Sequence, residues 1–279
     1  MTIEELRAYQ LAQMELLDET EEICRKMNLT YYLIGGTLLG AVRHKGFIPW
    51  DPDIDIAMPR KDYEEFLKYW VENPSEKFFY QHYTTEKNHL SPHAVLKIRN
   101  TKVVQKERNS RYKPEHEGIY LDVFPLDNPP PTPKEQKRQE KKIRKMKRII
   151  EVKAGYQYST TSVPKKWAKR IVQFFLSPFS FSFLNATMDR CMKQYSAANG
   201  KYLVSMASHY SYWKQLMPYE IYGKPTKVLF EGKWYNAPAE TDAYLTRIYK
   251  DYMKLPAEEN LYAILDYIER VEYRPESEE

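Results

Sequence analysis

Ile34-Gly-Gly-Thr-Leu-Leu-Gly-Ala-Val-Arg43-His-Lys-Gly-Phe-Ile-Pro-Trp50-Asp-Pro-Asp53-Ile-Asp55-Ile-Ala-Met-Pro-Arg60 is the stretch on which the fold turns. An apolar run, Tyr31 to Ile34, leads into Gly35-Gly36-Thr37, and Asp53-Ile54-Asp55-Ile56 begins seventeen positions after Gly36. Successive side chains of a strand point to opposite faces. A strand over 53–58 therefore sets Asp53 and Asp55 on one face and Ile54 and Ile56 in the core on the other. Asp is a poor strand former, so two within an Ile-rich strand need a reason. Carboxylates this close repel, and a hard divalent cation with oxygen ligands relieves the repulsion. A glycine turn opening a helix offers backbone N–H groups to a phosphate. Together the halves read as a site for a metal-bound phosphate ester.

Gly35-Gly36 followed by Asp53-Ile54-Asp55 resembles the nucleotidyltransferase superfamily signature. The longer string Gly36-Thr37-Leu38-Leu39-Gly40, Arg43-His44-Lys45-Gly46-Phe47-Ile48-Pro49-Trp50-Asp51 is similar to one branch, the LicD family of bacterial phosphocholine transferases and the more distant fukutin-related transferases. Lys97-Ile98-Arg99-Asn100-Thr101 and Tyr120-Leu121-Asp122-Val123-Phe124-Pro125-Leu126-Asp127 continue the likeness, and Tyr249 to Pro256 is a weaker echo. The chain departs from the family where Pro52 replaces a usual third Asp.

The resemblance implies a mixed α/β fold. A nucleotidyltransferase-like core sheet with flanking helices would occupy residues 1–128, and a mainly helical region, 129–279, would pack on it. It also implies transfer of phosphocholine from CDP-choline to a hydroxyl of a cell-surface glycan precursor of teichoic acid, lipopolysaccharide or capsule type. The motifs do not read the alcohol. Ribitol or glycerol phosphate from a CDP donor stays open, as does a catalytically silent scaffold of the same fold. Asp53, Asp55 and Asp122 are the expected catalytic and metal-binding residues, with Mg²⁺ as the cofactor and Mn²⁺ as the alternative. Gly35, Gly36, Thr37, Gly40, Arg43, Lys97 and Arg99 are the expected substrate contacts.

Each residue has a plainer reading. Alternating Asp can be a solvated strand edge, and a lone Asp122 can cap a turn. Asp127 reads as a turn or cap residue, and Asp51 as either a supporting carboxylate or a turn former. A diphosphate under attack needs cations besides the metal, and Arg offers a bidentate fork, yet surface Lys and Arg are the usual case. His44 and Lys45 stand between these readings. His82, His89, His93, His116 and His209 show no metal-ligand spacing. No P-loop, Gly-x-Ser-x-Gly elbow or paired Cys-x-x-Cys is present.

With 279 residues, 29% of them charged, and a mean hydropathy of -0.71, the composition is that of a soluble protein. No apolar run approaches the ~20 residues of a membrane span. Met1-Thr2-Ile3-Glu4-Glu5 has no secretion-signal pattern, so the expected location is cytoplasmic, with a peripheral position at the inner membrane face open. Cys24 and Cys191 fall on helical patterns, as buried thiols in a reducing compartment do. The formal charge of +5 is local: residues 134–153 carry ten Lys or Arg against Glu135, Glu140 and Glu151, a net +7, leaving -2 elsewhere. That basic stretch reads as a solvated helix face or as a helix lying on anionic lipid. The second reading draws on Lys165-Lys166-Trp167-Ala168-Lys169-Arg170 and the Phe-rich segment after it. Nucleic-acid binding is disfavoured, because no stacking aromatics interleave the basic residues.

Thr2 and Glu5 form a capping box for a helix to about residue 27, followed by a strand at 31–35 and a short helix from Thr37. Tyr63, Phe66, Leu67 and Trp70 mark an amphipathic helix. Strands are expected at 78–83, 95–99, 102–105 and 119–124, then a boundary at Pro129-Pro130-Pro131-Thr132-Pro133. Helices are expected over 134–153, 164–176, from 183, 238–250 and 257–271, with a hairpin over 227–236.

Overall fold

Ile54 and Ile56 are fully buried, and the strand that Ile54 leads into and Ile56 belongs to lies inside a mixed five-stranded sheet. The computed structural model describes residues 1–105, 116–155, 163–196, 200–255 and 268–273. The first half holds α1 (Ile3–Met27), β1 (Tyr32–Leu33), α2 (Gly35–His44), β2 (Asp55–Pro59), α3 (Arg60–Glu72), β3 (Phe78–Gln81), β4 (Ala94–Ile98), β5 (Thr101–Gln105) and β6 (Tyr120–Leu126). Then come α4 (Pro133–Ala154), α5 (Val163–Leu176), α6 (Phe181–Met192), β7 (Tyr202–Leu203), α7 (Tyr212–Gln215) and β8 (Met217–Pro218). The last elements are α8 (Tyr219–Tyr222), β9 (Thr226–Phe230), β10 (Lys233–Ala237), α9 (Thr241–Tyr249) and β11 (Ile268–Tyr273).

The sheet order is β1-β2-β6-β4-β3, with β2 and β6 parallel and the other neighbours antiparallel. The α/β class expected from the sequence is the class observed: a central sheet, flanking helices and a largely helical C-terminal region. One apolar cluster runs from Met14 to Ile248 and joins sheet residues such as Ile56 and Val123 to Ile150 of α4 and Met188 of α6. Each such side chain removed from water contributes roughly 1.5–3 kcal/mol.

Local signals set most element ends. Thr2 and Glu5 cap α1 reciprocally. Thr132 caps α4, Pro133 occupies its first turn where no N–H is needed, and Gly155 ends it in the left-handed region. Glu231 and Gly232 both have positive φ, so a two-residue turn joins β9 to β10 with the twist a hairpin favours. Cys24 and Cys191 are free and buried.

Two expectations are corrected. The helix predicted from Thr37 begins at Gly35, so the glycine pair is its first turn. The helix predicted over 257–271 fails at its end: Ile268–Tyr273 is β11, antiparallel to β5, and residues 257–267 lie outside those described. Ile268 joins a second apolar cluster with Leu6, Tyr9, Val103 and Ile119. That long-range pairing overrides the local helical preference of Glu269, Arg270 and Glu272.

Candidate active site

Asp55 and Asp122 sit directly opposite each other on the parallel pair β2 and β6. Neighbouring strands are about 4.8 Å apart, so the two carboxylates share one patch of sheet surface. Asp53 stands two residues before β2, and all three line a cavity of about 600 Å³ with His93, Lys147, Met188 and His209 among its other walls. Thr37 fixes the Asp loop: its hydroxyl accepts from the Asp55 N–H (2.8 Å) and donates to the Asp53 carbonyl (3.5 Å).

The glycine pair has a spatial role. Gly35 has φ +57°, and a Cβ there would stand 3.0 Å from Asp55 Oδ2. A Cβ on Gly36 would overlap the Asp51 carboxylate. Only glycine lets the start of α2, with its positive dipole end, approach carboxylates this closely.

The electrostatics are those of a crowded acidic cluster. Burial first, then Asp122, Asp53 and Asp51, hold the Asp55 carboxyl well above the usual range. Burial and the Asp53 charge push Asp51 up to about 7. Asp53 rises to about 6, through burial and Asp122 against a 2.6 Å hydrogen bond donated by the Tyr120 hydroxyl. His93 Nε2 lies 3.3 Å from Asp122 Oδ1. Among the described residues no three His, Cys, Asp or Glu side chains stand as a ready-made metal cage. The donor chemistry nonetheless suits a hard divalent cation: all-oxygen ligands whose mutual repulsion such an ion relieves.

Other predicted contacts stand elsewhere. A Cβ on Gly40 would meet the Gly46 carbonyl at 2.5 Å, so this glycine lets the loop before Ile48 pack on α2. Arg43 Nη1 donates to the Tyr252 carbonyl (2.9 Å), tying α2 to the C-terminal echo of the motif. Lys97 Nζ donates to the His116 carbonyl (2.6 Å), and Arg99 Nε to the Ser75 and Phe78 carbonyls. Lys97 and Arg99 line a different, smaller pocket beside Phe79 and His116. Strand register pairs Val95 with Asp122 and Lys97 with Tyr120, so Lys97 shares the sheet face of Asp122 but stands further along β4, outside the lining of the carboxylate cavity, and Arg99 lies just past the strand's end. Asp127, read as a turn residue, is fully buried and takes a bidentate Arg60 guanidinium.

Lys147, His93 and His209 were not singled out by sequence reasoning. Lys147 came with a signal: Ile143, Lys147, Ile150 and Ala154 follow helical spacing on the buried face of α4. Its amine donates to the Ser208 carbonyl (2.5 Å), and burial pushes it down to about 8, partly opposed by Glu151. Tyr244 approaches the same end of α2, its hydroxyl accepting from the Gly35 N–H at 3.3 Å. Burial, chiefly, and then neighbouring tyrosines and Asp55 raise Tyr249, whose hydroxyl donates to Tyr210.

The family described as "LicD/FKTN/FKRP, nucleotidyltransferase domain" matches residues 28–146. The lipopolysaccharide cholinephosphotransferase LicD of Haemophilus influenzae is 30% identical over 265 residues, 91% of this chain and 94% of that protein. An uncharacterized protein of Rickettsia prowazekii is 46% identical over 52 residues, 19% of this chain and 20% of the relative. One from Caenorhabditis elegans is 36% identical over 64 residues, 23% of this chain and 17% of the relative.

Proposed function

Since this chain belongs to the LicD family, we propose that it is a phosphocholine transferase that takes its group from CDP-choline and delivers it to a hydroxyl of a lipopolysaccharide-type glycan precursor. The observation that carries the reading is the pairing of Asp55 with Asp122 across parallel strands, beside Asp53 and Lys147 in one cavity. Asp53, Asp55 and Asp122 would hold Mg²⁺. Bound there, the ion would neutralise diphosphate oxygens and the charge that develops on the leaving CMP.

In the transfer the acceptor oxygen bonds to the phosphorus that bears choline. The bridging P–O bond breaks, and CMP leaves with its electron pair. The acceptor proton passes to Asp122, whose carboxylate is oriented by His93 Nε2 at 3.3 Å. Lys147, from the opposite wall, supplies a cation to the phosphate oxygens, and the buried apolar walls Ile150 and Met188 limit water. No protein nucleophile is needed, because positioning and charge stabilisation carry phosphoryl transfer.

Lys147 gives this reading a pH signature. A lysine at about 8 is a cation below that pH and neutral above it. With wild-type protein, kcat/KM should fall as pH rises through about 8. Lys147→Arg should move that limb upward by more than one pH unit, since guanidinium stays charged. An alkaline limb identical in both proteins would remove Lys147 from the reaction.

A thermal-shift panel of CDP-choline, CDP-ribitol, CDP-glycerol and CMP, each with and without Mg²⁺, tests the donor. At a hundredfold excess over Kd the preferred donor stabilises by about 2.7 kcal/mol. CDP-choline should shift the transition most, and only with Mg²⁺. Equal shifts for all three donors would mean the alcohol is not read. No shift with any cytidine nucleotide would favour the silent scaffold.

A further inference from the structure

Ile171, Val172, Phe174, Phe175, Phe179 and Phe183 are all exposed, Phe174 by 74% and Phe175 by 68%. They follow one another along the end of α5, the turn after it and the first turn of α6. Single exposed apolar side chains are ordinary; a run of six large ones on adjoining turns is not. Between Val163 and Met188 the chain has Lys165, Lys166, Lys169 and Arg170 and no acidic residue. Lys141, Lys142, Arg144, Lys145 and Arg148 of the neighbouring α4 are exposed as well.

We propose that this apolar face lies on an anionic lipid surface. Exposed apolar side chains, with the exposed cations Arg170 on the same helix and Lys141, Lys142, Arg144, Lys145 and Arg148 on the helix packed beside it, match the acyl boundary and headgroup layer of such a surface. Lying, not spanning, is what the geometry permits. At 14 residues α5 is about 21 Å long, short of the ~30 Å hydrocarbon core. The chain then bends by 84° into α6, which buries Leu184, Met188 and Cys191 in the protein.

The face is fastened to the walls of the carboxylate cavity. Ile150 and Glu151 line that cavity, and on the same helix the Val152 carbonyl accepts from Gln173 (2.8 Å) while Lys153 Nζ donates to the Leu176 carbonyl (3.1 Å). Met188, one of the cavity walls, is on the helix that carries Phe183. A docked face therefore holds the catalytic cavity beside the membrane, where a lipid-linked glycan presents its hydroxyl. The inference deepens the transferase reading by stating where the acceptor is met. Vesicle binding is read without donor or acceptor, so the two claims fail separately.

Co-sedimentation of the full chain with phosphatidylcholine vesicles, with and without phosphatidylglycerol, is the test. Pelleting is expected only with phosphatidylglycerol and should decline as salt is raised, since each engaged Lys or Arg is worth roughly fivefold. The double variant Phe174→Ser/Phe175→Ser should cut the bound fraction at least about tenfold, by exposing polar groups where rings were buried in lipid. Its melting temperature and its CMP release with a short soluble acceptor should match wild type. Changing Lys141, Lys142, Arg144 and Lys145 to Gln should weaken the anionic preference. Equal pelleting with both vesicles, pelleting with neither, or wild-type behaviour of the Ser variant overturns the proposal. So does a wild-type dimer that the Ser substitutions dissociate without any vesicle binding, which would assign the face to a second copy.

Discussion

Asp55→Asn and Asp122→Asn are each expected to lower Mg²⁺-dependent CMP release by at least about 1,000-fold, or roughly 4 kcal/mol of transition-state stabilisation. The substitution keeps the shape and removes the charge, so the loss reports charge. The same two variants should be more stable than wild type once metal is chelated. In the metal-free protein, burial and Asp122, Asp53 and Asp51 all raise the Asp55 carboxyl, so its ionised form strains the fold. Asparagine ends that repulsion. With Asp53 at about 6 and Asp51 at about 7, these groups bind protons more tightly folded than unfolded. Their destabilising effect is absent below the unfolded value near 4, grows as pH rises, and is complete above about 7. Chelated wild type should thus lose melting temperature between about pH 5 and pH 8, and added Mg²⁺ should flatten that slope. Activity within tenfold of wild type in either variant, or a chelated variant less stable than wild type, would remove the carboxylate pair from the chemistry.

Much of this site is legible in the sequence because its logic is local. Alternation of Asp with Ile across 53–56 and the Gly35-Gly36 turn lie within one strand–helix–strand unit, where period and turn chemistry dictate geometry. The pairing of Asp55 with Asp122 depends on a register between strands far apart in sequence, and only the motif likeness pointed to it. For Lys97 and Arg99 the motif likeness likewise names the residues without their neighbours. Register puts Lys97 on the face of Asp122 but further along β4, and the two cations end on the His116, Ser75 and Phe78 carbonyls, partners that no sequence spacing specifies. Lys147 was hidden in a run of ten basic residues, although its spacing with Ile143 and Ile150 sets it apart from its exposed neighbours. The end of the predicted 257–271 helix failed because a partner strand, β5, decides the conformation of Ile268–Tyr273.

Removing one cation from the interior should destabilise this protein more than any exposed change. Arg60 opens α3 at the end of β2 and is almost wholly buried. Its Nε and Nη2 donate to the two oxygens of Asp127 at 2.7 Å each, and Nη1 donates to Asp189 Oδ1 at 2.9 Å. Burial alone would lower the guanidinium's pKa, but Asp127 and Asp189 outweigh it and raise it. Ser196 donates to Asp127 (2.7 Å), and Tyr83 to Asp189 (3.1 Å), so the acceptors are well occupied. Asp127 follows β6 and Asp189 belongs to α6. The triad therefore pins the strand that bears Asp122 to the helix whose Met188 lines the cavity and whose Phe183 lies in the exposed apolar face. Arg60→Met fills similar volume but strands two buried carboxylates, at an expected cost of about 3–5 kcal/mol in urea unfolding. Adding Asp127→Asn and Asp189→Asn should recover much of that loss, because the buried charges are then gone. Breaking an exposed pair such as Lys26 with Glu22 should cost far less, because water screens both charges. A loss that small for Arg60→Met, or no recovery in the triple variant, would mean that water reaches the triad and that something else holds α6 against the sheet.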